Sequence, residues 1–356
     1  MTENPYRYVG QIVRGTAFIG RTDLLWRVRS SWAGSVLGNL SVQGSHRMGK
    51  TSLVARAVEL DQDTRADLLF VSLSIGNHES GPDLFRSVVR ETHAKLGTVS
   101  APSAVPYRPM FDQILTEVSK NQDWFELRDI VSAFFTHLTH AGVSVVIVLD
   151  EFDRATAVLT RLADYQFLRS LASERPSVGL VTISRRPIDD IEIDAVHGST
   201  LDNVLSLRCN VGCFSDLEID EVLAPAATIG VDLSSHRREI TEIAGGHPYL
   251  LSLLCHETIM QFHRVHVVSV TAAHRNLINQ FETQFKTLYS ALNTSSANRA
   301  GDLLLRVSHN RCDSISPIDL DLLRRLGLLH ENGISTRLFS DEFDRFVRRT
   351  VLTSAN

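Results

Sequence analysis

Apolar residues recur along this chain in two alternating patterns. Short, nearly unbroken apolar runs occupy 37–42, 68–74, 142–151 and 179–184, and a fifth is expected at 204–207. Runs of that length, without polar alternation, predict strands buried on both faces, as in parallel sheets. Between them the apolar positions take helical spacing. Leu24, Leu25, Val28 and Trp32 form one such stripe, and Leu53, Val54, Ala57 and Val58 a second. Leu84, Phe85, Val88, Val89 and Leu96 form a third, and Leu127, Ile130, Val131, Phe134, Phe135 and Leu138 a fourth. Residues 97–109 carry Pro102, Pro106 and Pro109 and read as a loop. Strands alternating with helices over 10–210 predict one α/β domain, taken as 1–210. Ligands of such a domain are expected at the carboxyl ends of its strands.

From 211 onward the pattern is helical. Leu217, Ile219, Val222 and Leu223 form one stripe; Ile240, Ile243 and Ala244 lead into Gly245-Gly246-His247-Pro248, and 249–254 opens the next helix. This segment, 211–290, is read as a helical lid domain. A polar linker, Asn293-Thr294-Ser295-Ser296-Ala297-Asn298, falls at the start of a small third unit, 291–356. Helices are expected at 303–307 and 318–326. Two extended runs, 328–330 and 334–339, flank Glu331-Asn332-Gly333, and Asn-Gly between such runs signals a hairpin. Ser340 is then placed to cap a last helix, with Asp341 and Glu342 in its first turn and Phe343, Phe346 and Val347 on one face. Helices, a two-stranded wing and a helix make a winged helix.

Composition changes this picture little. The 356 residues suffice for two or three domains, and 43% apolar with 22% charged content is that of an ordinary globular protein. A formal charge of −5 implies no polyanion-binding surface by itself. No apolar run approaches the roughly 20 residues of a membrane span, and the N-terminus lacks the pattern of a signal peptide, so a cytoplasmic protein without membrane contact is expected. Cys209 and Cys213 are four apart, but no second Cys/His pair has zinc spacing. With Cys255 and Cys312 they read as free, buried thiols. Fourteen histidines form no H-E-x-x-H.

The chemistry is concentrated at Gly44-Ser45-His46-Arg47-Met48-Gly49-Lys50-Thr51-Ser52, which fits G-x-x-x-x-G-K-[ST] between a predicted strand and a predicted helix. Gly44 and Gly49 let the backbone curl so that its N–H groups face phosphate oxygens. The helix beginning near Lys50 adds the positive end of its dipole. Lys50 supplies a point charge for the β- and γ-phosphates, and Thr51 Oγ a ligand for Mg²⁺. The lysines of the chain are Lys50, Lys95, Lys120 and Lys286, so one placed in this motif is informative.

A second site closes the strand at 142–151. Asp150 has the context of a Walker B carboxylate and is expected to hold Mg²⁺; Glu151 is expected to activate or orient the attacking water. The structural alternative is a pair of solvated acids at a strand end. Ser184 and Arg185 end the next strand. If that strand lies between the loop strand and the Asp150 strand, they face the γ-phosphate, and Arg185 or Arg186 senses it. Gly246-His247-Pro248 is expected to close over the base, with Pro248 against it. Phe18-Ile19-Gly20-Arg21 is expected to cover it from the other side.

Together these residues resemble the STAND class of AAA-related P-loop ATPases. The resemblance runs through Asn4-Pro5-Tyr6, Phe18-Ile19-Gly20-Arg21, Arg47-Met48-Gly49-Lys50-Thr51-Ser52-Leu53, Leu149-Asp150-Glu151-Phe152-Asp153, Ser184-Arg185-Arg186-Pro187 and Gly246-His247-Pro248-Tyr249-Leu250-Leu251. It implies an α/β fold: a P-loop NTPase parallel sheet with a helical lid and a C-terminal winged helix. It also implies an ATP/ADP-driven switch of the bacterial type that uses Mg²⁺, hydrolyses slowly, and oligomerises in one nucleotide state. Members usually carry a fused effector and sensor repeats. Residues 1–10 and 351–356 leave no room for them here, so a separate effector or sensor protein is expected. The rival class is a DNA-acting ATPase resembling origin-recognition or transposition-regulator ATPases. The arginines of residues 301–356 are matched by about as many acids, which disfavours nucleic acid as a partner. A scaffold that has lost catalysis is disfavoured by intact Lys50, Asp150 and Glu151.

Overall fold

The computed structural model describes residues 3–97, 102–121, 123–198, 201–295, 299–331 and 335–354. Five strands form one sheet: β1 (Leu40–Gln43), β2 (Leu68–Ser74), β3 (Ser144–Asp150), β4 (Val178–Ser184) and β5 (Leu207–Asn210), in the order β2-β3-β4-β1-β5. The β2–β3, β3–β4 and β4–β1 pairings are all parallel. The apolar runs explain this. Every residue of β1 and β4 is buried, as is β3 up to Leu149, so both faces of these central strands are covered.

β4 is inserted between β1 and β3, the strand order on which the expectation for Ser184 was conditioned. In register, Gln43, the last residue before the loop, pairs with Ser184, while Ser74 pairs with Asp150. The carboxyl ends of β1, β4 and β3 therefore lie side by side.

The chain divides into two compact units. One comprises Asp23–Gln43 and Leu53–Cys209. Its core joins the sheet to an aromatic group in which Phe85, Trp124 and Phe167 meet edge to face or tilted, with ring centroids 4.9–5.8 Å apart. The other comprises Met1–Thr22, Gly44–Ser52 and Asn210–Asn356. Its core runs from Tyr6 through the helices Asp216–Leu223, Arg237–Ala244, Pro248–Val265 and Val270–Ser295 to the C-terminal helices.

The C-terminal region carries helices Ala300–Ser308 and Pro317–Arg325, the antiparallel pair β6 (Leu329–Glu331) and β7 (Thr336–Leu338), and helix Asp341–Ser354, which makes the winged helix. Ser340 Oγ accepts the N–H of Phe343 at 3.1 Å, the cap expected there. Asn332 and Gly333, the expected turn, lie outside the described residues. No described helix is long and apolar enough to cross a membrane.

Three local readings differ. A helix, Arg108–Lys120, begins inside the stretch read as a loop; Pro109 sits in its first turn, where a missing N–H costs nothing, and Phe111, Ile114 and Val118 are buried. Helix Val270–Ser295 carries the start of the polar linker as its last turn. The strand expected at 204–207 lies at Leu207–Asn210.

Candidate functional site

The phosphate-loop sequence leaves the end of β1 and runs into helix Lys50–Asp61. Gly44 passes so close to Val211 that a Cβ there would lie 2.3 Å from its carbonyl oxygen. No other residue fits without moving the backbone. Gly49, at φ +88°, has open space around it and is required by conformation alone. The Lys50 ammonium lies inside the loop and donates to the carbonyls of Gly44 at 2.8 Å and Ser45 at 2.9 Å. Ser45 is buried, and its hydroxyl has no hydrogen-bond partner among the described residues. A glycine cradle, a helix N-terminus, a coiled lysine and an orphaned buried hydroxyl fit the oxygens of a phosphate chain.

Beside the loop is a cavity of about 520 Å³. Arg47 to Ser52 line one side of it. Residues 5–13, with Phe18, Ile19 and Arg21, line another, and Phe214, Pro225, Pro248, Tyr249 and Ser252 complete it. The volume is that of an ordinary small-molecule site. Its cationic lining residues are Arg7, Arg21, Arg47 and Lys50, and among the described residues no Asp or Glu lines it, in a chain whose formal charge is −5. Ile19, Arg21, Pro248 and the loop residues from Arg47 onward are thus brought together. Gly44, Ser45 and His46, the first residues of the loop, are not among the cavity's lining residues, and neither is Gly20.

Arg21 has a structural task. Its backbone N–H donates to Glu218, its guanidinium donates to the carbonyls of Gly212 and Cys213, and it lies over the Phe214 ring, 4.3 Å from the centroid. Arg47, at φ +61°, lies over the Tyr249 ring at 4.0 Å. Ser52 Oγ accepts the N–H of Val13 at 3.0 Å, tying the N-terminal segment to the loop. That segment is held further by Tyr6, whose hydroxyl donates to the carbonyls of Val222 (2.8 Å) and Leu223 (3.2 Å), and by Asn4, which donates to the His256 carbonyl. Burial pushes the Tyr6 phenol far up, so it remains a donor. Sequence reasoning quoted Asn4-Pro5-Tyr6 but did not anticipate that residues up to Val13 line a cavity.

In the sheet unit, Asp150 ends β3 and Glu151 follows in the left-handed region at φ +53°. The Glu151 N–H donates to Asp150 Oδ1 at 2.7 Å, and Ser74 Oγ donates to Glu151 Oε2 at 2.8 Å. Ser184 is buried and its hydroxyl donates to the Arg186 carbonyl at 2.7 Å. Asp153 accepts the N–H groups of Arg185 (2.8 Å) and Arg186 (3.2 Å), fixing the turn. The Arg186 guanidinium pairs with Asp194, whereas Arg185 is exposed.

All four cysteines are free, burial pushes the Cys213 thiol up to about 12 and Cys255 higher still, and no cluster of His, Cys, Asp and Glu among the described residues could hold a metal.

No protein-family model matches the chain, and no curated protein matches it in sequence. Solved structures do match in fold. A Walker-type ATPase of Pyrococcus abyssi is 13% identical, with a TM-score of 0.59 over 94% of this chain and 97% of that one. The Aeropyrum pernix ORC2 protein, solved as ADPNP–ADP complexes, is 14% identical, with a TM-score of 0.52 over 96% and 97%. The Drosophila ORC bound to DNA gives 13% identity and a TM-score of 0.53 over 97% and 90%. These likenesses and the strand order show the fold: a P-loop NTPase sheet with flanking helices, followed by a helical region and a C-terminal winged helix.

Proposed function

We propose that this chain is an ATP-binding, slowly hydrolysing molecular switch of the STAND type that acts with a separate effector or sensor protein. The observation that carries the reading is the cavity beside the phosphate loop, cationic and, among the described residues, free of carboxylates in an acidic chain. Arg47 to Ser52 take the phosphates, with Lys50 moving from the loop carbonyls to the β/γ oxygens. Ile19 and Pro248 flank the base, and residues 5–13 wall it in. Mg²⁺, when bound, neutralises charge on the phosphates, and the sequence motifs assign Thr51 and Asp150 to it. Glu151 orients or deprotonates the attacking water. Arg185, the one of its pair without an acidic partner among the described residues, senses the γ-phosphate.

Slow turnover suits a switch, and a nucleotide-dependent homo-oligomer belongs to the same reading. The test is hydrogen exchange of residues 211–356 with ADP and with a non-hydrolysable ATP analogue. A ligand shifts a population only by binding its states unequally. The parent is therefore expected to show different protection with the two nucleotides, and Arg185→Ala to lose the difference while still binding ADP. Identical protection in the parent overturns a switch that the chain works alone.

A DNA-acting ATPase is the second reading, supported by the DNA named for one of the similar structures. The surface of the winged helix weighs against it. Arg299, Arg306, Arg324, Arg325, Arg337, Arg345, Arg348 and Arg349 each have a carboxylate within 2.7–3.2 Å. Pairs of this kind add little stability, but they cancel the field that phosphate binding requires. The exposed face of helix Pro317–Arg325, next to the wing, offers Ile318, Asp321 and Arg324, the last held by Glu331.

A further inference from the structure

Gln284 is a polar residue on the buried face of helix Val270–Ser295, only 3% exposed among Phe281, Phe285 and Leu288. Burying an amide there is unfavourable unless every group is matched. Its Nε2 donates to the His46 carbonyl of the phosphate loop at 3.2 Å and meets His247 Nε2 at 3.1 Å. Its Oε1 lies 3.3 Å from His46 Nδ1. One proton arrangement satisfies all three contacts. The amide donates both hydrogens, His46 carries its proton on Nδ1 and donates it to Oε1, and His247 accepts on Nε2. Burial supports the last assignment, since it holds the His247 ring neutral. Turning the amide over would set its oxygen against the His46 carbonyl, so its orientation is unique. Gln284 thus grips one loop residue at backbone and side chain.

The other side of the same helix turn faces the C-terminal region. Phe285 packs on Phe339, Phe343 and Phe346 with centroids 6.2, 5.2 and 5.5 Å away, and the His247 ring lies 5.8 Å from Phe339. The loop also reaches that region directly: a Cβ on Gly327 would fall 2.7 Å from Met48 Cε, and Met48 is buried.

We propose that Gln284 is a positioning residue that locks the phosphate loop to helix Val270–Ser295, so that order in the loop and order in the Phe339–Phe343–Phe346 cluster rise and fall together. The lock makes binding at the loop visible in the winged helix without a separate relay. Its use as a nucleotide signal rests on the proposed ATP reading; the lock itself does not. Coupling of this kind has to be shown by perturbing the link.

The experiment compares the full-length parent with Gln284→Leu, which removes all three contacts, and Gln284→Glu, which keeps the shape but offers no N–H to His46 or His247. Hydrogen exchange is followed without nucleotide and again with Mg·ADP. Without nucleotide, both variants should exchange about fivefold faster at 46–49 and at 336–351, the net loss of about 1.6 RT of hydrogen bonding. Exchange at 144–150 should stay at the parent rate, which separates a local lock from general destabilisation. With Mg·ADP, the parent should gain protection at 336–351 and the variants should gain it only at the loop. Parent-like exchange at both segments in both variants overturns the proposal, and so does uniform acceleration including 144–150. If the parent binds no Mg·ADP, the ATP reading fails, and the nucleotide-free comparison still decides the lock.

Discussion

Removing the Ser74 hydroxyl should speed hydrolysis rather than slow it. Ser74 Oγ donates to Glu151 Oε2 at 2.8 Å, and Ser74 is fixed in register beside Asp150. A carboxylate that accepts this bond is held towards Ser74 and away from other partners. A hydrogen bond to a charged group is worth about 1.5–3 kcal/mol when buried. This one lies at the surface, where solvent competes, so about 1 kcal/mol is the appropriate figure. If Glu151 must leave Ser74 to meet the attacking water, Ser74→Ala lowers the barrier by that amount and raises single-turnover phosphate release about fivefold. Glu151→Gln should stop turnover while retaining Mg·ATP, and adding Ser74→Ala to it should restore nothing. An unchanged or lower rate in Ser74→Ala refutes the idea that Ser74 holds Glu151 back. Turnover at the parent rate in Glu151→Gln removes Glu151 from the chemistry altogether.

Two further outcomes are expected. His247 is buried, and that burial pushes its pKa down to about 3, whereas the unfolded chain takes up a proton near 6.5. The unfolded state therefore binds the extra proton as pH falls from about 6.5 towards about 3, and stability is lost over that window by up to about 1.4 kcal/mol per pH unit. Melting at pH 7.5 and 5.5 should show a larger drop for the parent than for His247→Phe, and equal drops would exclude His247 as the source. The full chain should show no salt-sensitive, micromolar binding to duplex DNA, since most of the winged-helix arginines pair with carboxylates; such binding in fluorescence anisotropy would favour the DNA-acting reading.

The sheet was legible because β3 and β4 are continuous apolar runs with few other possible fates, and the loop because its chemistry demands a local sequence. Helix Arg108–Lys120 was hidden by the prolines just before it, although Phe111, Ile114 and Val118 carry its stripe. The role of residues 5–13 has no local signature, because they wall a cavity through contacts made more than two hundred residues away, such as Tyr6 with Val222. Gln284 did leave a signal: a lone amide three residues after Phe281 and four before Leu288 lies on the apolar face and needs partners. What periodicity cannot supply is the identity of those partners, His46 and His247.

Every role proposed for the site depends on nucleotide binding at the Arg47–Ser52 loop. Isothermal titration of the full chain with Mg·ATP, beside Lys50→Ala, tests it most directly. The parent is expected to bind one nucleotide per chain, and Lys50→Ala to show no measurable affinity while its circular dichroism and melting remain those of a folded protein. Equal affinity in the two proteins, or no binding by the parent, would contradict the account.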